Sequence, residues 1–553
     1  MRRRLTTLAV ACLGLAACGD DLEEALTAYR QGQHGVAVAT FAELAEDGDA
    51  EAQYRLGRAY AGGTGIKRSD GQAAAWYRKA AEQGHADSQN RLGGMYFVGR
   101  GVARDYGAAV RWFRAAAEQG HAGAQSNLGV AYHQGRGVEK DPAAAVGWDR
   151  RAAEQGNRNG QNNLGFAYDK GLGVERDPGK AVHWYRLAAK QGHRGAQKNL
   201  GAAYDKGRGV AQDRTAAARW YAKAAEQGDH DAQLRLARMF EAGDGVEKDP
   251  KAALGWYEKA AAAGDADAQN TTGLMYDRGI GTARDYRVAA KWYRAAAEQG
   301  HVLAQNNIAV MYQEGLGVPR NIAEAANWYA KAAEAGDAKA QNGLGELLRD
   351  GKGVPADLPA AAGWFEKAAA HGLAAAQANL ADLRAAGRGV PPDIRMAARL
   401  YGLAAAQGHA AAQTALAGML AHGIGVPKDE YRARTLYTRA ARQGWADAQF
   451  SLGELHDLAA RNEAGTAAED PATASVDGTT NADRIEAYLW YSLSAKQGHA
   501  AAAARREALT ARMTELEVAA AQRRTAAWTP ETGTDLAAGP TGRSDTGSEP
   551  DRE

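Results

Sequence analysis

Small and apolar residues recur along most of this chain at helical spacing, and that pattern itself repeats every 36 residues. From about Ala50 to Ala61, Ala52, Leu56, Ala59 and Tyr60 fall on one stripe, which predicts an amphipathic helix. Gly63-Thr64-Gly65-Ile66 interrupts the stripe. A second helical stretch then carries Trp76, Tyr77 and Ala80-Ala81 before Gly84. Gln marks the register at 53, 89, 125, 161, 197, 233, 269, 305, 341, 377, 413 and 449, twelve times at one step without insertion or deletion. Trp keeps the same step from Trp76 to Trp364, and Leu400 and Leu436 replace it at the next two equivalents.

The turn residues agree with two helices per repeat. Eleven Gly-x-Gly loops follow the first helices, usually with Val next, as in Val102, Val138, Val174 and Val210. A phosphate-binding loop needs a preceding strand, so these glycines are helix punctuation. Each second helix begins after a residue that accepts hydrogen bonds from free amides, such as Ser69, Asp105, Asp141, Asp177, Asp213 or Asn321. Pro142, Pro178 and Pro250 follow their caps, where the missing N–H costs nothing. One carboxylate per repeat at one structural place is a row of caps and not a set of catalytic acids.

A helix pair of this size cannot bury its apolar stripe alone, and stacked neighbours form a continuous core. The expected fold is therefore an all-α solenoid of about twelve helix-turn-helix repeats over residues 50–460. Leu26, Tyr29, Val38 and Phe41 build an incomplete repeat within 18–49. Residues 461–481 lack a helical period and are expected to be a flexible insertion. The pattern resumes in 482–528 with Ala487, Trp490, Tyr491 and Lys496-Gln497-Gly498-His499, displaced by 18 residues, and ends in a helical cap. Residues 529–553 have the Gly, Thr, Ser and Pro content of a disordered tail.

The wording of the unit resembles the Sel-one-like repeat (SLR) family, a relative of the tetratricopeptide repeats. Ala124-Gln125, Leu128-Gly129, Tyr132, Gly135-Arg136-Gly137-Val138, Asp141, Ala144, Trp148 and Ala152-Ala153-Glu154-Gln155-Gly156 carry the resemblance. Phe240 replaces the unit's Tyr and Thr272 its Leu, and the later repeats depart furthest, with Leu348, Arg384, Leu420 and His456 at the Tyr position. The resemblance implies a right-handed α/α superhelix, a concave groove lined by first helices, and an adaptor role in signalling, envelope assembly or host interaction. Cysteine-rich members staple each unit with a disulfide. Here Cys12 and Cys18 are the only cysteines, so stability must come from burial.

The N-terminus supplies a compartment. Arg2, Arg3 and Arg4 precede an apolar run from Leu5 to Ala17, as in a secretory signal too short to span a bilayer. Leu15-Ala16-Ala17-Cys18 resembles the lipobox of bacterial lipoproteins, which implies removal of residues 1–17 and lipidation of Cys18. An ordinary signal peptide would leave Cys18 incidental. The lipobox reading places the chain in the bacterial cell envelope, lipid-anchored and facing the periplasm or the cell surface, with inner against outer membrane undetermined.

A formal charge of +1, from 67 basic and 66 acidic residues, gives no footprint for a nucleic-acid backbone. Six of the 13 histidines, His85, His121, His193, His301, His409 and His499, follow the repeat's terminal Gly, where other repeats place Asp49, Asn157 or Asp229. Such alternation favours turn capping, and no metal or cofactor is expected. No His-Glu-x-x-His, Gly-x-Ser-x-Gly or Ser-x-x-Lys occurs. The expected function is a non-catalytic scaffold that binds an envelope protein or peptide. The alternatives are an envelope enzyme acting on peptidoglycan or a penicillin-like compound, and a structural spacer.

The candidate surface is the first-helix face formed by the positions one, five and eight after each periodic Gln. It carries Asn90, Phe97, His133, Asn162, Phe166, Asp169, Lys198 and Arg238. Asn suits a peptide backbone, and aromatic rings supply apolar anchors. Phe97 and Phe166 are the principal candidates for partner contact, with gap filling between adjacent units as the alternative role.

Overall fold

The computed structural model describes residues 21–469 and 479–531, and its described residues contain helices and no strand. Cys18, the segment before it that the sequence reading takes as a signal peptide, and residues 532–553 lie outside the described residues. The chain divides into two compact units, Met1–Ala260 and Ala261–Glu553.

In the first unit, helices at 21–30 and His34–Glu46 precede five helix pairs, from Ala50–Gly62 with Asp70–Glu82 to Arg194–Lys206 with Arg214–Glu226. In the second, five pairs run from Ala266–Arg278 with Tyr286–Glu298 to Ala410–His422 with Glu430–Arg442. Ala446–Glu469, Thr479–Lys496, Ala500–Thr510 and Glu515–Ala527 follow, and none of the described helices is long and apolar enough to cross a membrane. The architecture is an all-α repeat solenoid ending in a helical cap.

Local chemistry fixes each element. First helices start at side-chain caps: Asp49 Oδ1 accepts from the Ala52 amide at 2.7 Å, and the His121 ring nitrogen Nδ1 from the Ala124 amide at 3.0 Å. The histidines after the terminal Gly are thus helix N-caps, interchangeable with Asp and Asn because all offer an acceptor at the same place. The Gly-x-Gly loop has two separate causes. Its first Gly ends the helix in the left-handed region, as Gly135 does at φ 67°. Its second meets the preceding repeat, so that a Cβ on Gly137 would lie 2.1 Å from the Tyr106 carbonyl oxygen.

The periodic Gln is a buried connector. Gln161 Nε2 donates to the Ala153 carbonyl at 3.2 Å, tying the first helix to the end of the preceding second helix. Gln161 Oε1 in turn accepts from Gln191 Nε2 at 2.8 Å. The connection repeats from Gln83 to Gln53 and from Gln443 to Gln413. After the interruption it closes from Gln497 to Gln449, with 48 residues between partners in place of 30. Arginines form a second inter-repeat link: Arg78, Arg114, Arg150 and Arg186 donate to the hydroxyls of Tyr96, Tyr132, Tyr168 and Tyr204.

Two boundaries differ from the sequence reading. The expected insertion at 461–481 is helical as far as Glu469, and helix resumes at Thr479. Ala459-Ala460-Arg461, with further Ala and Glu beyond, costs little to add to an existing helix, even without an apolar period. The expected tail also begins later than 529. Trp528 packs edge-on against Trp490 at 6.2 Å, and the Glu531 amide donates to the Arg442 carbonyl at 2.9 Å.

Candidate functional site

Several departures from the repeat lie together in the third, fourth and fifth repeats of the N-terminal unit, on and beneath the first-helix face. Eleven repeats pair the Trp or Leu of the second helix with Tyr or Phe, but the third repeat reads Trp148-Asp149. Asp149 is only 5% exposed. Asn163 Nδ2 donates to its Oδ1 at 3.1 Å, and burial pushes its carboxyl up to about 8. Around it the packing is tight and small: a Cβ on Gly129 would lie 2.8 Å from the Asp149 carboxyl carbon, and one on Gly160 2.6 Å from Ala152 Cβ. The flanking first helices, Ala122–Gln134 and Arg158–Lys170, approach each other more closely than other neighbouring first helices of this unit. An aspartate where other repeats place a ring, together with Gly160, leaves room for that approach.

His133 and Phe166 stand above this junction, edge-to-face with centroids 6.4 Å apart. Phe166 remains 39% exposed. It borders a depression of about 180 Å³ whose walls include Asp169, Pro178, Val182, Tyr185, Asn199 and Arg208. Burial and the Asp169 carboxylate push the Tyr185 phenol up, so that this ring stays neutral. Asp169 lies 3.3 Å from the Lys170 ammonium. The depression thus combines an apolar floor with charge of both signs at its edge.

The other sequence candidates have internal duties. Phe97 does not stand free on this face. It is half-buried, 5.1 Å from Tyr106 and 6.1 Å from Phe113, with the Arg136 guanidinium 5.8 Å above its ring. It fills a gap between adjacent repeats, the alternative role that the sequence leaves open for it. Asn90 Oδ1 accepts from Asn127 Nδ2 at 2.9 Å, and Asn162 Oδ1 from Asn199 Nδ2 at 3.4 Å. Those acceptors link first helices and are already used. Lys198 pairs with Asp231 at 2.6 Å and with Asp229 at 3.6 Å. Arg238 is exposed one repeat beyond the depression, where its charge faces the Tyr257 hydroxyl that donates to Glu241 at 2.8 Å.

The structure therefore brings together His133, Asn162, Phe166 and Asp169 from the sequence candidates, and adds Asp149, Asn163, Tyr185 and Arg208. Asp149 was detectable as the one acidic residue in a column of aromatic residues. Arg208 was not, because it occupies the variable position of an ordinary Gly-x-Gly loop. Among the described residues, no group of three or more His, Cys, Asp or Glu side chains is placed to hold a metal.

The family model described as Sel1 repeat matches twelve segments, running from 50–85 to 410–445 and then 476–499, and these make up well over half of the chain. The chain belongs to the Sel1-repeat family. Among solved structures, this Sel1-repeat protein is similar to c5321, a protective antigen of uropathogenic Escherichia coli strains with an SLR fold. The two are 34% identical, the match covers 88% of this chain and 93% of that one, and the TM-score is 0.62. A Sel1 repeat protein from Oxalobacter formigenes is also 34% identical, over 59% of this chain and 93% of its own, with a TM-score of 0.41. The immunity protein Pa5087 from Pseudomonas aeruginosa is 21% identical over 45% of this chain and 81% of its own, with a TM-score of 0.27. No curated protein matches the sequence. A Sel1-repeat scaffold fits a role in protein–protein interaction.

Proposed function

We propose that this Sel1-repeat protein is a non-catalytic scaffold of the bacterial cell envelope that holds a protein or peptide partner on the first-helix face of its N-terminal unit. The observation that carries this reading is the depression beside Phe166. A large ring left exposed next to an open, mixed apolar and charged recess is the form a binding anchor takes, whereas the equivalent seat around Phe97 is filled internally. The other first-helix polar groups, such as Asn90 and Lys198, are committed to neighbouring repeats and hold the face rigid. A preformed rigid surface reduces the entropy lost on binding.

The envelope location is proposed from the sequence Leu15-Ala16-Ala17-Cys18 and the basic-then-apolar run before it, with lipidation at Cys18 as the anchor. The similarity to a protein described as a protective antigen accords with such a position. No observation favours the alternative of an enzyme acting on peptidoglycan.

The test separates anchor from surface. A Cys18→Ala variant is expected to leave the membrane fraction while retaining its partner. A Phe166→Ala, Arg208→Ala double variant is expected to stay in the membrane fraction and lose one specific partner in proximity labelling, with helicity intact by circular dichroism. An unchanged set of labelled proteins would refute the proposed face.

A further inference from the structure

The chain contains a filled version of its own open depression. Shifting by two repeats places Phe97 on Asp169, Tyr106 on Pro178, Phe113 on Tyr185 and Arg136 on Arg208. In the second repeat, the Phe97 and Tyr106 rings meet at 5.1 Å and pack beneath the Arg136 guanidinium, 5.8 and 5.5 Å from it. In the fourth repeat the floor ring and the overhanging arginine remain, but Asp169 and Pro178 are too small to replace the two rings. The vacated volume is the depression of about 180 Å³. An apolar cavity of roughly 150 Å³ is large enough for a benzene ring.

Arg208 shows independently that the seat is incomplete. Its equivalent Arg136 stacks on two rings, and Arg100 binds the Asp70 carboxylate. The Arg208 guanidinium makes no hydrogen bond or ion pair with any described residue, and its Nε is buried without an acceptor. A guanidinium so placed favours a π face beneath it.

We infer that the seat between Phe166, Tyr185 and Arg208 receives a single aromatic side chain, Phe or Tyr, from a partner polypeptide. The incoming ring takes the place Phe97 holds two repeats earlier, tilted against the floor ring and under the guanidinium. The edge of Phe166 extends the contact at the rim, and ring pairs of this kind add to the burial of apolar area. The inference rests on the proposed first-helix face being the partner face, and it adds the chemistry of the anchor residue.

The experiment pans a displayed library of random peptides on the full chain and on an Asp169→Phe, Pro178→Tyr variant. That variant rebuilds the second repeat's own rings in the fourth, so the chain already shows that the combination folds. Circular dichroism and the thermal midpoint confirm it for the variant, and Arg208→Ala provides a second probe. Peptides recovered on the wild type are expected to share one Phe or Tyr, to bind the filled variant about tenfold more weakly or worse, and to lose a similar factor when that residue is changed to Ala. Peptides that lack a shared aromatic, or that bind the filled variant equally well, would overturn the seat while leaving the groove reading intact. Recovery of no peptide on the wild type would overturn both. A monomer–dimer equilibrium in sedimentation that the filled variant abolishes would assign the seat to a second copy of the chain and also overturn the inference.

Discussion

Asp149 gives the account its largest quantitative consequence. Burial raises its carboxyl from an ordinary 3.8 to about 8, and only the Asn163 amide opposes the cost of charging it. At about 1.4 kcal/mol per pH unit, a four-unit difference between folded and unfolded states is worth roughly 5 kcal/mol at most. The sign follows from proton binding. Between pH 4 and pH 8 the folded chain holds a proton that the unfolded chain releases, so stability falls as pH rises through that window and is fully present only below it.

Asp149→Asn keeps the shape and the Asn163 contact but cannot charge. Its helices should match the wild type near pH 4 and become progressively more stable than wild type towards pH 8. Because a repeat array unfolds segment by segment, the assay is hydrogen exchange of amides in Pro142–Glu154 and Arg158–Lys170, comparing variant and wild type at each pH. A gap of about 2 kcal/mol or more at pH 8 is expected. A gap that does not change with pH, or a less stable variant at pH 8, would refute the reasoning.

Other consequences are local. Gly137→Ala should cost several kcal/mol, because its φ of 76° and the Tyr106 carbonyl 2.1 Å from the new Cβ both oppose it. Gly147→Ala, in a helix with nothing near its Cβ, should instead gain about 0.5–1 kcal/mol, both read by thermal unfolding. Gln341 Oε1 is buried without a partner where His371 replaces the Gln of other repeats, so His371→Gln should stabilise by about 1 kcal/mol in denaturant titration. Ala222→Arg and Phe240→Tyr should stabilise only when combined, with a coupling of about 0.5–1 kcal/mol in a double-mutant cycle, because they restore the Arg–Tyr link together.

Much of this fold was legible in the sequence, because every repeat solves the same packing problem. The Gln column is the clearest case. Its 36-residue step reflects a buried side chain that bonds both the preceding repeat and its own second helix, and neither bond tolerates a shift. The 18-residue displacement at the end was equally readable, since the structure spans it with the Gln497–Gln449 bond. The stretch after Ala460 was misread because a periodicity argument has no purchase on a helix that extends by propensity alone.

The site was only half legible. Phe166 and Asp169 were marked by variation on the first-helix face. Phe97 was marked by the same rule and is packed internally, because the face itself does not reveal which rings the next loop covers. That depends on Arg136, Tyr106 and their equivalents, and on side-chain volumes at positions 97 and 169, which emerge only when the repeats are superposed in space. Changes that occur together within one chain carried further information. Where Arg gives way to Ala222, Ala330 or Gly402, the Tyr hydroxyl also disappears, at Phe240, Leu348 and Leu420.

The central claim is that partners bind the first-helix face of the N-terminal unit, at the seat beside Phe166. A photo-crosslinking amino acid placed at position 166, and separately at exposed Lys223 on a second helix, tests it directly in the native host. The account predicts a specific polypeptide adduct from position 166 that is absent from position 223 and is lost in the Asp169→Phe, Pro178→Tyr background. Adducts from position 223 alone, or equal adducts from both positions, would contradict it.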